Sequence, residues 1–281
     1  MNPFPYIYLP SCLPDDIYRE LNESYPSDDL ICSLDQWRRP APGENERVDI
    51  SAISMFKHRD ILPQIWVEFV EYHTSNEFFL EVVNLFGDSI RHYYPDLEKR
   101  IGNLNQLETG VRFCEQTDCH PLSLECQVGI NTPGTQTSTV IGPHCDSPEE
   151  LYAALLYFKR PEDQAEGGNL DLYDWKNQRR KLFREKYKIA DDSLIKKRLT
   201  IPSTANTLVM FINTIDSVHG VTPRSPSSLS RRLVNIIGEV YNPIPEGLYD
   251  RPQVPPATAA PPQSFPVRLL HKVKSKLRAL K

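Results

Sequence analysis

The sequence predicts a mainly β protein in which helices flank a jelly-roll core, and three observations carry that prediction. Up to about residue 108, apolar residues recur at helical spacing. From 109 to 242, apolar runs of strand length alternate with turn residues: 110–113, 124–131, 152–158, 169–175, 207–213 and 231–241. Beyond 242 the chain becomes proline-rich and then basic. A helical front followed by many short strands fits helices packed on an antiparallel double sheet.

Taken in order, 5–9 (PYIYL) reads as a short strand. A helix follows, because Pro14, Asp15 and Asp16 resemble a capped start and Ile17, Leu21 and Tyr25 share a face. The segment 59–96 is helical in pattern, with Ile61, Ile65, Phe69, Phe79, Val83 and Phe86 among its apolar residues. Turn signals at Thr132-Pro133-Gly134 and Glu166-Gly167-Gly168-Asn169 separate the later strands. The stretch 176–199 is rich in Lys, Arg and Asp and reads as a solvated excursion between strands, or a lid. Eight prolines in 243–266 predict a stiff, extended linker. In 267–281, Leu269, Leu270, Val273, Leu277 and Leu280 can share one helical face, with six Lys or Arg and no acid alongside. The expected organisation is therefore a domain over 1–242 (helical front over 1–108, jelly-roll core over 109–242), a linker over 243–266 and an amphipathic basic tail over 267–281.

Composition narrows the function. A chain of 281 residues with 40% hydrophobic and 25% charged residues suits one large domain. A net charge of −5 gives no basis for broad nucleic-acid binding. The first residues lack a basic, apolar, small-residue leader pattern, and no run of about 18 apolar residues occurs. A cytoplasmic protein with reduced thiols is expected, and the six cysteines show no paired zinc-finger spacing. The tail could rest on an anionic membrane surface, on its inner face, or simply be solvated.

The chemistry concentrates in Pro143-His144-Cys145-Asp146. On an extended strand, residues two apart face the same side, so His144 and Asp146 can offer an imidazole and a carboxylate to one point. His219 follows the strand at 207–213 and supplies a second imidazole within Ser217-Val218-His219-Gly220-Val221. Two histidines and one carboxylate cap one face of an octahedral Fe(II) and leave the other positions open. Cys145, between the two ligands, is expected to face away and pack.

Together with Glu166-Gly167-Gly168-Asn169-Leu170, the strand at 206–211 and the arginine-led strand Arg231-Arg232-Leu233-Val234, these motifs resemble the Fe(II)/2-oxoglutarate-dependent oxygenase family. The resemblance covers about 109–241 at motif level. It implies a double-stranded β-helix core, Fe(II) held by His144, Asp146 and His219, and 2-oxoglutarate and O₂ as co-substrates. Because Asp146 keeps the carboxylate position, it implies hydroxylation or desaturation rather than halogenation.

The far carboxylate of 2-oxoglutarate needs a cation, and the planar fork of arginine suits it. In the family that arginine stands on the strand after the second histidine, where both Arg231 and Arg232 qualify. They face opposite sides, and the family's arginine-x-serine pattern favours Arg232, with Val234 in the serine's place. Tyr157, Asn131 and Gln127 are candidates to complete that site. For the substrate, the basic segments and the His-Cys-Asp site resemble oxygenases of envelope sugars, including the Kdo hydroxylase type, so a small molecule or a lipid-linked glycan is expected. The alternatives are a free amino acid, a natural product or a protein side chain, and a cupin-like metal protein that uses no 2-oxoglutarate.

Overall fold

The computed structural model describes residues 3–35, 37–41, 43–114, 120–185, 187–240 and 247–254. Its frame is two facing sheets. The larger contains β1 (Tyr6–Pro10), β10 (Thr207–Ile212), β5 (Glu150–Tyr157), β12 (Arg231–Val240), β4 (Leu122–Asn131) and β2 (Arg47–Ile50), in that spatial order and antiparallel throughout. A short β3 (Thr109–Val111) runs parallel to the start of β4. The smaller sheet has the order β11 (His219–Val221), β6 (Leu170–Trp175), β9 (Ile195–Ile201). The extended segment 141–144 pairs with the free side of β11, through two backbone hydrogen bonds between His144 and His219. This is the predicted jelly roll.

The helices cover the outer face of the large sheet. These are α1 (Asp15–Glu23), α2 (Asp28–Leu34), α3 (Ala52–Lys57), α4 (Gln64–His73), α5 (Asn76–Tyr93) and α6 (Leu97–Ile101). Three start where a serine hydroxyl accepts an otherwise orphaned backbone N–H: Ser27 for α2, Ser51 for α3 and Ser75 for α5. Each helix buries at least one apolar residue, α2 to α5 pack on the sheet, and Trp66 of α4 is the keystone. Its ring meets Tyr25 at 4.9 Å and Phe158 at 5.2 Å, and its indole N–H donates to Leu21 O.

The central strands β4, β5, β10 and β12 of the large sheet are buried on both faces. Val234 and Ile236 of β12 point into the helical core, whereas Leu233 and Ile237 point between the sheets. Between the sheets lies a second apolar cluster of Phe4, Ala153, Val209 and Phe211 against Leu170, Leu172 and Ile201. The glycine turn before β6 is tightly constrained: Gly167 has φ +81°, and a Cβ there would lie 1.8 Å from Pro223 O.

Several expectations change. The expected first strand is β1 of the large sheet, but the chain before 109 supplies a second, unanticipated strand to that sheet, β2. The charged stretch at 176–199 is a packed element rather than a free excursion. It holds the hairpin β7 (Phe183–Arg184) and β8 (Lys188–Ile189) and the start of β9, and Phe183, Ile189 and Ile195 bury against Cys145, Trp175 and Val218. Most of its described lysines and arginines sit on the solvent side. Of the proline-rich stretch, 247–254 docks on the domain: Phe183 N donates to Pro252 O, Val254 N to Phe183 O, and Leu248 N to Pro148 O. The remainder of 243–266 and the tail 267–281 lie outside the described residues. Among those described, no helix is long and apolar enough to cross a membrane.

Candidate metal and co-substrate site

The pairing of segment 141–144 with β11 brings two histidines, far apart in sequence, side by side. Their ring centroids are 4.3 Å apart. Asp146 Oδ1 lies 3.4 Å from Nε2 of His144 and 3.5 Å from Nε2 of His219. One donor atom from each residue falls within 4.8 Å of the other two. The backbone sets the tautomers. Nδ1 of His144 is 2.9 Å from Gly142 O and Nδ1 of His219 is 2.8 Å from Ser217 O. A carbonyl only accepts, so each Nδ1 carries a proton and each Nε2, on the Asp146 side, is the ring nitrogen left for a metal. This is the arrangement a divalent metal requires, with the second ring nitrogen fixed by an outer partner.

The electrostatics agree. Burial opposes the charge on Asp146, yet His219 and His144 hold its carboxyl well below the usual range. Burial and the neighbouring His219 push the His144 imidazole down, while Asp146 outweighs burial at His219 and raises it. Two buried imidazoles and one half-buried carboxylate thus share a single negative charge, a set that a dication would satisfy. Cys145 points the other way, into the cluster behind the small sheet, with Sγ donating to Ile215 O.

The ligands open onto a cavity of about 320 Å³ between the sheets. Its floor is the inner face of the large sheet, including Gln127, Asn131, Leu155, Arg231, Leu233 and Asn235. Arg231 is buried, and its Nη1 donates to Asn131 Oδ1 at 2.9 Å. Its guanidinium lies 4.9 Å from the centre of the Tyr157 ring, and its Nε is buried without a hydrogen-bond partner. Among the described residues no carboxylate lies at ion-pair distance from it, and burial pushes its pKa down, with Arg47 and Arg224 adding to the effect. A buried cation that lacks a counter-ion is a receptor for an anion.

The preference for Arg232 is therefore reversed. Arg232 lies on the opposite face of β12, half-buried, with Nη1 donating to Asn22 O and its guanidinium over the Tyr25 ring. It braces α1 against the sheet and does not line the cavity. Of the other candidates, Asn131 touches Arg231 and Tyr157 lies under it. Gln127 lines the cavity but is taken up by Asn235, whose Nδ2 donates to Gln127 Oε1 at 3.3 Å.

Two groups of functional interest carry no signal in the sequence. Arg38 and Arg47 line the same cavity from the loop before β2 and from β2 itself. Tyr249, in the proline-rich stretch, donates its hydroxyl to Asp146 O at 3.0 Å, and Arg251 Nη1 reaches the same oxygen at 3.4 Å. No local motif marks either group; both reach the site through long-range pairing.

The family model described as the 2OG-Fe(II) oxygenase superfamily matches residues 134–237, a span that includes all three clustered ligands and Arg231. No curated protein sequence matches the chain. Among solved structures, similarity extends to a prolyl-4-hydroxylase of Pseudomonas putida, at 13% identity and TM-score 0.41, covering 85% of this chain and 95% of that one. A prolyl hydroxylase of Trichoplax adhaerens in complex with a hypoxia-inducible-factor peptide fragment has 12% identity and TM-score 0.43, covering 85% of each chain. The dioxygenase for auxin oxidation 1 of Arabidopsis thaliana, in complex with 2-oxoglutarate, has 12% identity and TM-score 0.45, covering 89% of this chain and 86% of that one. Likeness this distant says nothing about the substrate.

Proposed function

Because the chain belongs to the 2OG-Fe(II) oxygenase superfamily, a family of 2-oxoglutarate-dependent dioxygenases that use Fe(II) and O₂, we propose that it hydroxylates a polar organic substrate at the His144–Asp146–His219 cluster. The observation that carries this reading is the convergence of two Nε2 atoms and one carboxylate at the head of a cavity that also contains a buried arginine with no carboxylate at ion-pair distance among the described residues. The donor set fits Fe(II), because mixed imidazole and carboxylate ligands on one side leave exchangeable positions on the other. Arg231 fits the distal carboxylate of 2-oxoglutarate. From Ala153, level with Phe211 and the ligand cluster, to Tyr157, level with Leu233, β5 rises on the order of 13 Å at about 3.3 Å per residue. An arginine side chain and a five-carbon diacid together span such a distance.

When bound, Fe(II) with 2-oxoglutarate supplies O₂ activation, in which 2-oxoglutarate goes to succinate and CO₂ and one oxygen atom enters a substrate C–H bond. The protein's residues position and shield. Gly142 O and Ser217 O hold the imidazoles in register, and Tyr249 and Arg251 hold the backbone of Asp146. Leu155, Leu170, Phe211 and Val221 keep the walls of the cavity apolar.

Within this reaction class the first substrate to screen is an acidic sugar of an envelope glycan, then free amino acids, natural products and peptides. The basic tail is proposed to bring the enzyme to an anionic membrane surface, so deletion of 267–281 leaves turnover of a small dissolved substrate unchanged while abolishing vesicle binding. The reading is tested by anaerobic titration with Fe(II) and 2-oxoglutarate, followed by succinate release across those panels. A protein that takes up iron but is indifferent to 2-oxoglutarate belongs with the cupin-like alternative.

A further inference from the structure

The cavity has a second cationic feature besides Arg231, at its mouth. Arg47 of β2 sits directly across from Asn131 of β4, which in turn sits across from Arg231 of β12. Cross-strand partners project to the same face, so Arg47 and Arg231 flank Asn131 on the inner side of the sheet. Arg38 reaches the same region from the preceding loop. That loop is anchored rather than loose. The buried Asp35 carboxylate accepts the backbone N–H groups of Trp37 and Arg38 through one oxygen and that of Asp49 through the other.

At the mouth two guanidinium groups converge on a single carboxylate. Arg38 and Arg47 share one carboxylate, Asp49, at 2.5 and 3.3 Å. Nη2 of Arg47 is buried with no hydrogen-bond partner. Both arginines also line an open groove of about 430 Å³ on the surface, which shares Val140 with the inner cavity. The groove carries Arg39 as well, along with Glu44 and Glu46, and Glu46 Oε2 is occupied by Ala41 N. The passage from groove to metal cluster runs along 140–144. Four extended residues measure on the order of 13 Å.

Resting on the proposed oxygenase reading, and refining its substrate class, we propose that Arg47 and Arg38 bind an oxyanion of the primary substrate, a carboxylate or a phosphate monoester, as it enters through this groove. Asp49 satisfies one of the two guanidinium charges and leaves the other for the ligand. The substrate then enters with its neutral part foremost and its acid held at the mouth. The carbon that faces the metal cluster lies several bonds from the acidic group. Because the site is exposed on the Arg38 side, binding weakens with salt. The acid is read by Arg47 and Arg38, and 2-oxoglutarate by Arg231.

The test separates this proposal from the oxygenase reading by using full-length, metal-free protein carrying Arg231→Gln, in which the inner guanidinium cannot be the receptor. Calorimetric titrations compare matched acids and amides: glucuronate with glucuronamide, and 3-phenylpropionate with 3-phenylpropionamide. Glucose 6-phosphate against glucose distinguishes phosphate from carboxylate as the group read. The expected result is at least a tenfold preference for the charged member of one or more pairs, falling with salt. Adding Arg47→Gln removes the preference, and adding Arg47→Lys instead retains part of it. Equal binding of acid and amide, no binding of any acid at 10 mM (about 3 kcal/mol of affinity), or a preference that survives Arg47→Gln overturns the proposal. So does a rise in the 2-oxoglutarate Kd of the iron-loaded Arg47→Gln single variant as large as that of Arg231→Gln, because Arg47 would then belong to the co-substrate. Failure of wild type to bind 2-oxoglutarate, with acid binding intact, defeats the oxygenase reading alone.

Discussion

Replacing Arg231 by glutamine isolates the co-substrate function from the fold. The guanidinium is buried, it donates to the neutral Asn131, and among the described residues no carboxylate lies at ion-pair distance from it. A carboxylate bound there gains two charge-assisted hydrogen bonds, each worth about 1.5–3 kcal/mol. Glutamine can keep one weaker bond, so the net loss is about 3–4 kcal/mol, or a 10²- to 10³-fold rise in the 2-oxoglutarate Kd. Iron binding depends on other residues and changes little. Stability is the second readout. An unbalanced buried cation costs the fold, so the variant melts at the wild-type temperature or above it. The assay is anaerobic titration of 2-oxoglutarate into the Fe(II) protein, followed in the visible and by calorimetry, with a thermal melt of the metal-free form. Arg232→Gln is the control. It loses a 3.3 Å bond to Asn22 O and the contact over Tyr25, which costs about 1 kcal/mol of stability and no 2-oxoglutarate affinity. Loss of 2-oxoglutarate binding in Arg232→Gln but not in Arg231→Gln would refute the facing argument.

His219→Ala removes a ligand whose imidazole is raised toward protonation by Asp146, so metal affinity drops at least about 100-fold by equilibrium dialysis; in wild type, affinity weakens as pH falls below neutral and protons compete for the same nitrogen. Tyr249→Phe deletes the hydroxyl that holds Asp146 O, and a loss of about 1 kcal/mol should appear as a severalfold weaker Fe(II) affinity. Glu125 is buried beneath α3, accepts Ala52 N and has its carboxyl raised to about 7, chiefly by burial. Between its unfolded value of 4.5 and about 7 the folded state holds the extra proton, so this group makes stability decline as pH rises through that window. Glu125→Gln, which keeps an acceptor without the charge, should match wild type in urea at pH 4.5 and exceed it by up to about 3 kcal/mol at pH 8; a pH-independent difference would contradict this.

The three residues of the candidate metal cluster were legible in the sequence because each carries a local signal. His144 and Asp146 share a side through strand alternation, and His219 announces itself by its place after an apolar strand and before Gly220. The strands that carry long apolar runs were legible too. The short strands were not: β2 and β11 contain only four and three residues, and β9 reads as a charged stretch with isolated apolar positions. Phe183, Ile189 and Ile195 gave little periodic signal, yet each finds the same buried cluster.

Strand alternation alone separates Arg231 from Arg232, but it does not say which one faces the metal. A strand with one wet face would answer through its polar residues. β12 is buried on both faces, so Leu233 and Val234 look alike in sequence although one lines the cavity and the other the helical core. The orientation comes from pairing with β4 and β5, partners up to about 120 residues away, which sets Arg231 opposite Asn131. The same pairing brings Arg47 to the mouth, and docking of 247–254 brings Tyr249 to Asp146. Short-range chemistry wrote the ligand set into the sequence, whereas the direction each arginine points is a property of the closed sheet.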